Sequence, residues 1–545
     1  MSKITKVEDA VKLIHDGDTI SSVGGQGTLT PVAVLRALEA RFLAEGHPRN
    51  LTLFETTPIT IGSGFEPFSH EGFLKRLIVS VLSHESDPKR LEMIAGNKVE
   101  AYTIPFGISH KLFTEIAKKS PGVLTEVGLH SFVDPRVEGG KCNSISTADM
   151  IKVVEFEGKE WLLYKTFPIN VAIIRGTTAD EDGNISLEQE GLTQAVLYQA
   201  MAAKNCGGKV IAQVKRVMPR GSIDPRMVLV PGVLVDAIVV AEEQWQHERF
   251  PGQYDPGIDG RVRVSPPPAL LQPLDADKVV ARRTAMEIKA GQVVTLGGGI
   301  PVNRVTHLTL EEDIQDLFVI SREHGTLGGF SYGREVHINP TSWFSYEEVF
   351  NWYSGGGMDL GLLQFLQVDK EGNVNLSRLG KVFHGPGGAP ATSHFAKKLI
   401  YTGTFTQGGL RVNVGGGKIA ITEEGKNRRF VNRLEQVTVD GKFLAKQEKT
   451  VLFVTERAVF QLTKDGLELI EIAPGIDLEK DILGQMEYKP LISNSLREME
   501  PRIFRDELMG LRRDMLGYEE KGRKRPVPLL PPEKLPRRPY WTAQP

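Results

Sequence analysis

The sequence predicts an α/β protein of two tandem, related domains, with mostly parallel sheets and Gly-rich strand-to-helix loops. Three observations carry this prediction. In both halves an apolar strand runs into a glycine cluster and then a Pro-Val helix start. The first copy is Thr19 to Val23, then Gly24, Gly25, Gln26 and Gly27, then Pro31 and Val32; the second is Gln292 to Leu296, then Gly297, Gly298 and Gly299, then Pro301 and Val302. Each half continues with an apolar strand ending at a glutamate: Leu51 to Phe54 before Glu55, and Leu317 to Ile320 shortly before Glu323. Further on, Asp182, Gly183, Asn184, Ile185 and Ser186 are echoed by Gly372, Asn373, Val374 and Asn375, and a basic-apolar strand follows each: Lys209, Val210, Ile211 and Lys398, Leu399, Ile400. Strands alternating with helices form parallel sheets, and matched features in one order point to duplication.

Taken in chain order, residues 9–16 form a short amphipathic helix stopped by Gly17, since glycine takes the left-handed conformation at helix ends. Pro31 suits a first helical turn, and its helix runs to about Ala44. In the second half a helix from about Ala281 ends at Gly291. The Asp/Gly/Asn clusters are turn chemistry, because Gly and Asn tolerate positive φ. The join between halves falls in Val264, Ser265, Pro266, Pro267 and Pro268. The division is therefore residues 1–262 for the first domain, 263–276 for a Pro-rich linker, 277–519 for a second domain carrying Glu323, and 520–545 for a Pro-rich arm. The arm holds no core; it is either a free tail or an arm lying on a neighbouring subunit through Leu529, Leu530, Tyr540 and Trp541.

Composition narrows the class without naming it. The 545 residues are 40% hydrophobic and 25% charged, as in an ordinary globular protein. A net charge of −2 gives no bulk attraction to nucleic acid or to a membrane surface. Cys142 and Cys206 stand far apart, which excludes a disulfide framework and suits a reducing compartment. The charged N-terminus lacks the apolar run of a signal peptide, and no stretch has the length of a membrane span. No HExxH or clustered Cys/His spacing marks a metal site. A cytoplasmic enzyme or a large binding protein fits these facts.

Glu323 is the candidate nucleophile. It follows a buried strand and precedes Gly325, Gly328 and Gly329, and ligands of open α/β sheets bind outside the carboxyl ends of strands. A solvated loop glutamate is the plain alternative for this segment taken alone. The glycine loops before Pro31 and Pro301 offer backbone N–H groups at helix starts, where anions bind. They do not fit GxGxxG, because Thr30 stands at the third glycine position and Ile300-Pro301-Val302 follows Gly299, and there is no GxxxxGK[ST]. A third cluster is Gly385, Pro386, Gly387 and Gly388. Tight turns explain each cluster separately; donors converging on a carboxylate nucleophile would describe acyl chemistry, in which an oxyanion must be held.

These motifs together resemble the family I coenzyme A transferases over roughly residues 3–517. The resemblance rests on Val23 to Thr28, Val127-Gly128, Phe132 to Arg136, Glu323 to Gly329, Gly356 to Asp359, Gln367 to Asp369 with Gly372 to Asn375, Gly385 to Gly388, Thr455 to Phe460 and Glu471 to Asp477. It implies two tandem CoA-transferase-type domains and transfer of CoA from an acyl-CoA to an acceptor carboxylate such as acetate, acetoacetate or another short-chain acid. Glu323 would attack the thioester and become a glutamyl-CoA thioester in a ping-pong cycle. The resemblance further implies a Gly388 amide in the oxyanion hole, and Gly297, Gly298, Gly299, Ile300, Pro301 and Gly387 along the CoA. Gly25, Gln26, Gly27 and Phe106 would lie at the substrate pocket. Coenzyme A would be a substrate held covalently as an intermediate, with no other cofactor and no metal. A homo-oligomer, dimer or tetramer, is implied as well.

One position departs from the family pattern. Relatives have Pro-Gln-Gly where this chain reads Pro105-Phe106-Gly107, and their glutamine helps to hold the oxyanion. Phe106 has no such donor; Gln26 is a candidate substitute. Glu55, the repeat counterpart of Glu323, lacks the Glu-x-Gly context and reads as structural or substrate-lining. Two alternatives stay open: an acyl-CoA hydrolase using the same glutamate, and a non-catalytic CoA-ester-binding protein. Dependence of product on an acceptor acid separates the first from a transferase, and a retained Glu323 argues against the second.

Overall fold

The computed structural model describes residues 2–22, 24, 28–56, 67–82, 88–241, 256–266, 268–331, 337–380, 382–520 and 522–531. The chain forms two compact units, Met1–Val262 with Trp343–Phe350 and Lys381–Ala391, and Arg263–Ser342 with Asn351–Gly380 and Thr392–Pro545. It is a two-unit α/β protein.

The first unit is built on a seven-stranded, wholly parallel sheet. Its strands lie in the order Ala237–Val240, Lys209–Val214, Val171–Arg175, Thr19–Ser22, Leu51–Phe54, Leu74–Val79 and Glu100–Thr103. From Thr19–Ser22 the chain builds outward to one side, then returns to Val171–Arg175 and builds to the other. The strand order therefore reverses between these two neighbours, the position where crevices open in such sheets. Ile20, Leu53, Leu77, Ile173 and Ile211 fill the core. The helix Val32–Glu45 follows the first glycine loop and stops at Gly46, whose φ is 69°. Pro31 sits at its N-cap, one residue ahead of the helix.

A ten-stranded sheet organises the second unit. Five parallel neighbours form its centre, Val319–Ser321, Val293–Leu296, Leu360–Gln364, Lys398–Thr402 and Thr450–Val454. Strand order again reverses, here between Val293–Leu296 and Leu360–Gln364. Val294, Leu296, Ile320, Leu362 and Ile400 form the core, as continuous apolar strands do when both faces are covered. Antiparallel strands Ala458–Thr463 and Gly466–Ile472 extend one side of the sheet.

Several local expectations shift. The helix expected from Ala281 begins at Ala276, because the Asp275 side chain accepts from Lys278 N–H at 2.9 Å and caps it, and it ends at Ala285. The strand before Glu323 spans Val319–Ser321, not 317–320; Leu317 and Phe318 are apolar but precede the ladder. Val264, in the Pro-rich join, is held from both sides by the Asn339 side chain, at 2.9 and 2.8 Å. Leu529–Leu530 pair in parallel with Ala269–Leu270 of the same chain, while Tyr540 and Trp541 lie outside the described residues.

The duplicated turns share their closing hydrogen bonds. Asp180 Oδ1 accepts from the N–H groups of Asp182 and Asn184, and its Oδ2 from Asn184 Nδ2. Asp369 does the same with Glu371 and Asn373. Asn184 Oδ1 then receives Gly232 N–H, as Asn373 Oδ1 receives Gly441 N–H, each at 2.8 Å.

Candidate active site

Glu323 stands in a tight turn just beyond the strand Val319–Ser321. Arg322 N–H donates to Thr326 O at 3.0 Å and Gly325 N–H to Arg322 O at 2.8 Å, and the chain returns antiparallel with Ser321 opposite Leu327. Gly325, Gly328 and Gly329 have φ of 100°, 62° and 72°, a region that favours glycine. A Cβ on Gly329 would lie 2.5 Å from Ile338 O. Positive φ thus favours glycine at all three positions, and backbone crowding demands it at Gly329; Glu323 itself is half-buried between buried Arg322 and His324.

Beneath this turn lies a polar contact that sequence reading missed. The Tyr353 hydroxyl hydrogen bonds with the Ser321 hydroxyl and receives Thr295 Oγ1 at 3.2 Å. Thr295 and Ser321 are register partners on adjacent strands, one leading to Gly297 and the other to Glu323. Burial pushes the Tyr353 hydroxyl up to about 12; the two hydroxyls oppose that rise, and the charge of Glu323 adds to it. Tyr353 is therefore a neutral phenol at physiological pH. Its position just before Gly355, Gly356 and Gly357 was the available signal.

The loop Gly297 to Pro301 lies in the same unit. Gly297 N–H donates to Leu362 O at 2.7 Å, Ile300 N–H to Gln364 Oε1 at 2.8 Å, and Asn303 N–H to Gly299 O at 2.8 Å. Two of the loop's amides are thus used within the fold. Gly298 is exposed, with no atom within 4 Å of a Cβ position, so open backbone is concentrated there. Pro301 begins a short π-helical segment, Pro301–Val305, that passes into the helix Thr306–Glu311.

Gly387, Gly388 and Phe106 are together in the first unit. Gly387 N–H donates to Ser80 O at 3.0 Å, and Phe106 N–H to Gly387 O at 2.8 Å. A Cβ on Gly385 would come 2.8 Å from Ser80 O. The glycine cluster is thereby stitched to the end of the strand Leu74–Val79 and to the start of the helix Phe106–Lys118; Gly388 itself is buried. The Phe106 ring is 1% exposed. It packs on His110 at 4.3 Å, Tyr346 at 5.4 Å and Phe350 at 5.9 Å between centroids. Glu55 is fully buried in an ion pair with Arg90, which gives it a structural place. Gly25, Gln26 and Gly27 lie outside the described residues.

Among the described residues no group of three or more His, Cys, Asp or Glu could hold a metal ion. No helix among them is long and apolar enough to cross a membrane.

A coenzyme A transferase profile matches residues 4–241. Across nearly the whole chain the protein is 37% identical to the caffeate CoA-transferase of Acetobacterium woodii, with 94% of this chain and 99% of the relative aligned. The chain belongs to the family I coenzyme A transferases. The acetate CoA-transferase YdiF of Escherichia coli K12 is 35% identical over 93% of this CoA-transferase and 96% of its own length. YdiF from E. coli O157:H7, solved as a thioester complex with CoA, superposes with a TM-score of 0.87 at 34% identity, covering 93% of this chain and 97% of that one. The CoA-transferase is thus an enzyme with coenzyme A as a substrate, on an α/β fold shared over both units.

Proposed function

We propose that this enzyme transfers CoA from an acyl-CoA to an acceptor carboxylate, such as acetate, acetoacetate or another short-chain acid, through Glu323. The Glu323 carboxylate oxygen attacks the thioester carbonyl; the C–S bond breaks and CoA leaves as thiolate from an acyl-glutamyl anhydride. The thiolate then attacks the glutamyl carbonyl, the anhydride C–O bond breaks, and the donor acid departs, leaving a glutamyl-CoA thioester. An acceptor carboxylate runs the same steps in reverse. A covalent route divides one hard transfer into easier ones, and binding along the CoA can be used at the reacting carbon.

The observation that carries this reading is the half-buried glutamate in a glycine-demanding turn at the carboxyl end of a parallel strand. It is supported by a relative, aligned over 97% of its own chain, that was solved as a thioester complex with CoA. In this reading Gly388 supplies the oxyanion amide, and Gly297 to Pro301 with Gly387 follow the CoA. Gly25, Gln26, Gly27 and Phe106 serve the substrate side. The similarity to a caffeate CoA-transferase favours including an aromatic acid among the substrates tested. The enzyme would act as a cytoplasmic homo-oligomer, dimer or tetramer, which light scattering tests.

The deciding experiment incubates the enzyme with acetyl-CoA and other acyl-CoAs without acceptor. Mass spectrometry should find CoA joined to the peptide carrying Glu323, and borohydride should inactivate only enzyme exposed to acyl-CoA. Absence of an adduct under rapid quench with a turned-over donor, or intersecting initial-rate plots, would overturn the mechanism. Product formed without any acceptor would favour hydrolysis.

A further inference from the structure

The reversal of strand order in the second unit lies between Val293–Leu296 and Leu360–Gln364, and Gln364 is the last residue of its strand. Its Oε1 accepts from Ile300 N–H at 2.8 Å. A Cβ on Gly299, whose φ is 81°, would fall 1.8 Å from that same oxygen, so the side chain lies directly along the glycine loop. A carboxamide is planar: holding its oxygen on Ile300 turns its NH2 away from that amide. Gln364 is half-buried, and its Nε2 has no hydrogen-bond partner among the described residues. The outcome is a pair of N–H donors, oriented by the loop, where α/β sheets open their crevice.

We propose that Gln364 binds the pantetheine arm of CoA esters by donating from Nε2 to an arm amide carbonyl. The proposal rests on the reading that Gly297 to Pro301 follow the CoA. Glu323 extends from the strand on the far side of Val293–Leu296, so its strand and that of Gln364 are two spacings, about 10 Å, apart. A thioester presented to Glu323 therefore brings the arm beyond its sulfur, with its two amides, toward Gln364. A neutral carboxamide donor matches an amide carbonyl. Short acyl chains carry no second carbonyl, and phosphates are better met by cations or by clustered backbone amides.

Gln364→Glu tests this, because it keeps an oxygen for Ile300 N–H and replaces the donor with an anionic acceptor. Calorimetry with CoA should give binding at least about tenfold weaker, the size expected when a hydrogen-bond donor is replaced by a mismatched acceptor. Binding of 3′,5′-ADP, which lacks the arm, should stay within about twofold. Equal CoA affinity in variant and wild type would overturn the proposal, and so would equal weakening toward both ligands. Should the glutamate variant fail to fold, Gln364→Met keeps the length without the donor and is judged by the same pair of affinities. Neither measurement needs the nucleophile, so an absent Glu323 adduct leaves this test intact.

Discussion

Ser321 and Tyr353 share a hydrogen bond between their hydroxyls, two residues before Glu323. The phenol also receives Thr295, so one ring ties the strand leading to the glycine loop to the strand leading to the glutamate. Tyr353 follows the helix Tyr346–Trp352 directly, and the chain kinks a few residues later at Gly356, whose φ of 96° is a conformation that favours glycine.

Tyr353→Phe keeps the ring and removes the shared hydroxyl. The Ser321 and Thr295 hydroxyls then lose a buried partner, at a cost of about 1–3 kcal/mol. If the contact also holds the Glu323 turn in place, single-turnover adduct formation should slow by roughly tenfold. Urea unfolding and quenched-flow mass spectrometry read the two effects. A stability loss with an unchanged adduct rate would reduce Tyr353 to a packing role.

Glu323→Gln preserves shape and removes the nucleophile. Transfer should fall by about 1000-fold or more, as happens when a covalent nucleophile is lost, with an unchanged melting temperature. The glutamine variant should form no CoA adduct. Near wild-type rates with deamidation excluded would end the assignment. Glu55→Gln should mainly destabilise, because it leaves Arg90 buried without its counter-charge.

Phe106→Gln now carries a specific expectation about folding. The ring is enclosed by His110, Tyr346 and Phe350, so an amide there creates a void and buries polar atoms. A loss of about 2–4 kcal/mol follows. Kinetics on a panel from acetyl-CoA to an aromatic ester, with acetate as acceptor, then report whether preference changes in the folded fraction. Identical constants across the panel would remove Phe106 from the substrate side.

His394 sets a pH dependence of stability. Burial pushes its imidazole down from 6.5 to about 4, with the charge of Lys449 adding to the effect. It stacks on Phe443 at 5.5 Å and meets Gln447 at 3.1 Å through Nδ1. The unfolded chain takes up the proton first as pH falls, so stability is full above about 6.5 and is lost between 6.5 and 4. This group alone removes about 2 kcal/mol by pH 5. His394→Phe should flatten the difference between urea midpoints at pH 7.5 and pH 5. An equally steep fall in the variant would assign the acid sensitivity elsewhere.

Much of the duplication could be read from sequence because it rests on local chemistry. Asp180 with Asn184 and Asp369 with Asn373 close their turns through bonds spanning four residues, and such bonds need no distant partner. Helix boundaries were less legible. The start at Ala276 depends on the Asp275 cap, whereas the helix's apolar pattern becomes clear only further along.

By itself the sequence determined the α/β class, the repeated order of elements, the candidate nucleophile Glu323 and the family. These follow from glycine placement, apolar periodicity and ordered motifs, all local along the chain. Tertiary structure alone decided that Tyr353 reaches Ser321 across 32 residues and that Gln364 meets Ile300 across 64. It also enclosed Phe106 among Tyr346 and Phe350, residues more than two hundred positions later. The physical reason is strand order. Parallel pairing brings together the carboxyl ends of strands far apart in sequence, and no periodicity within one strand records which neighbour it will have.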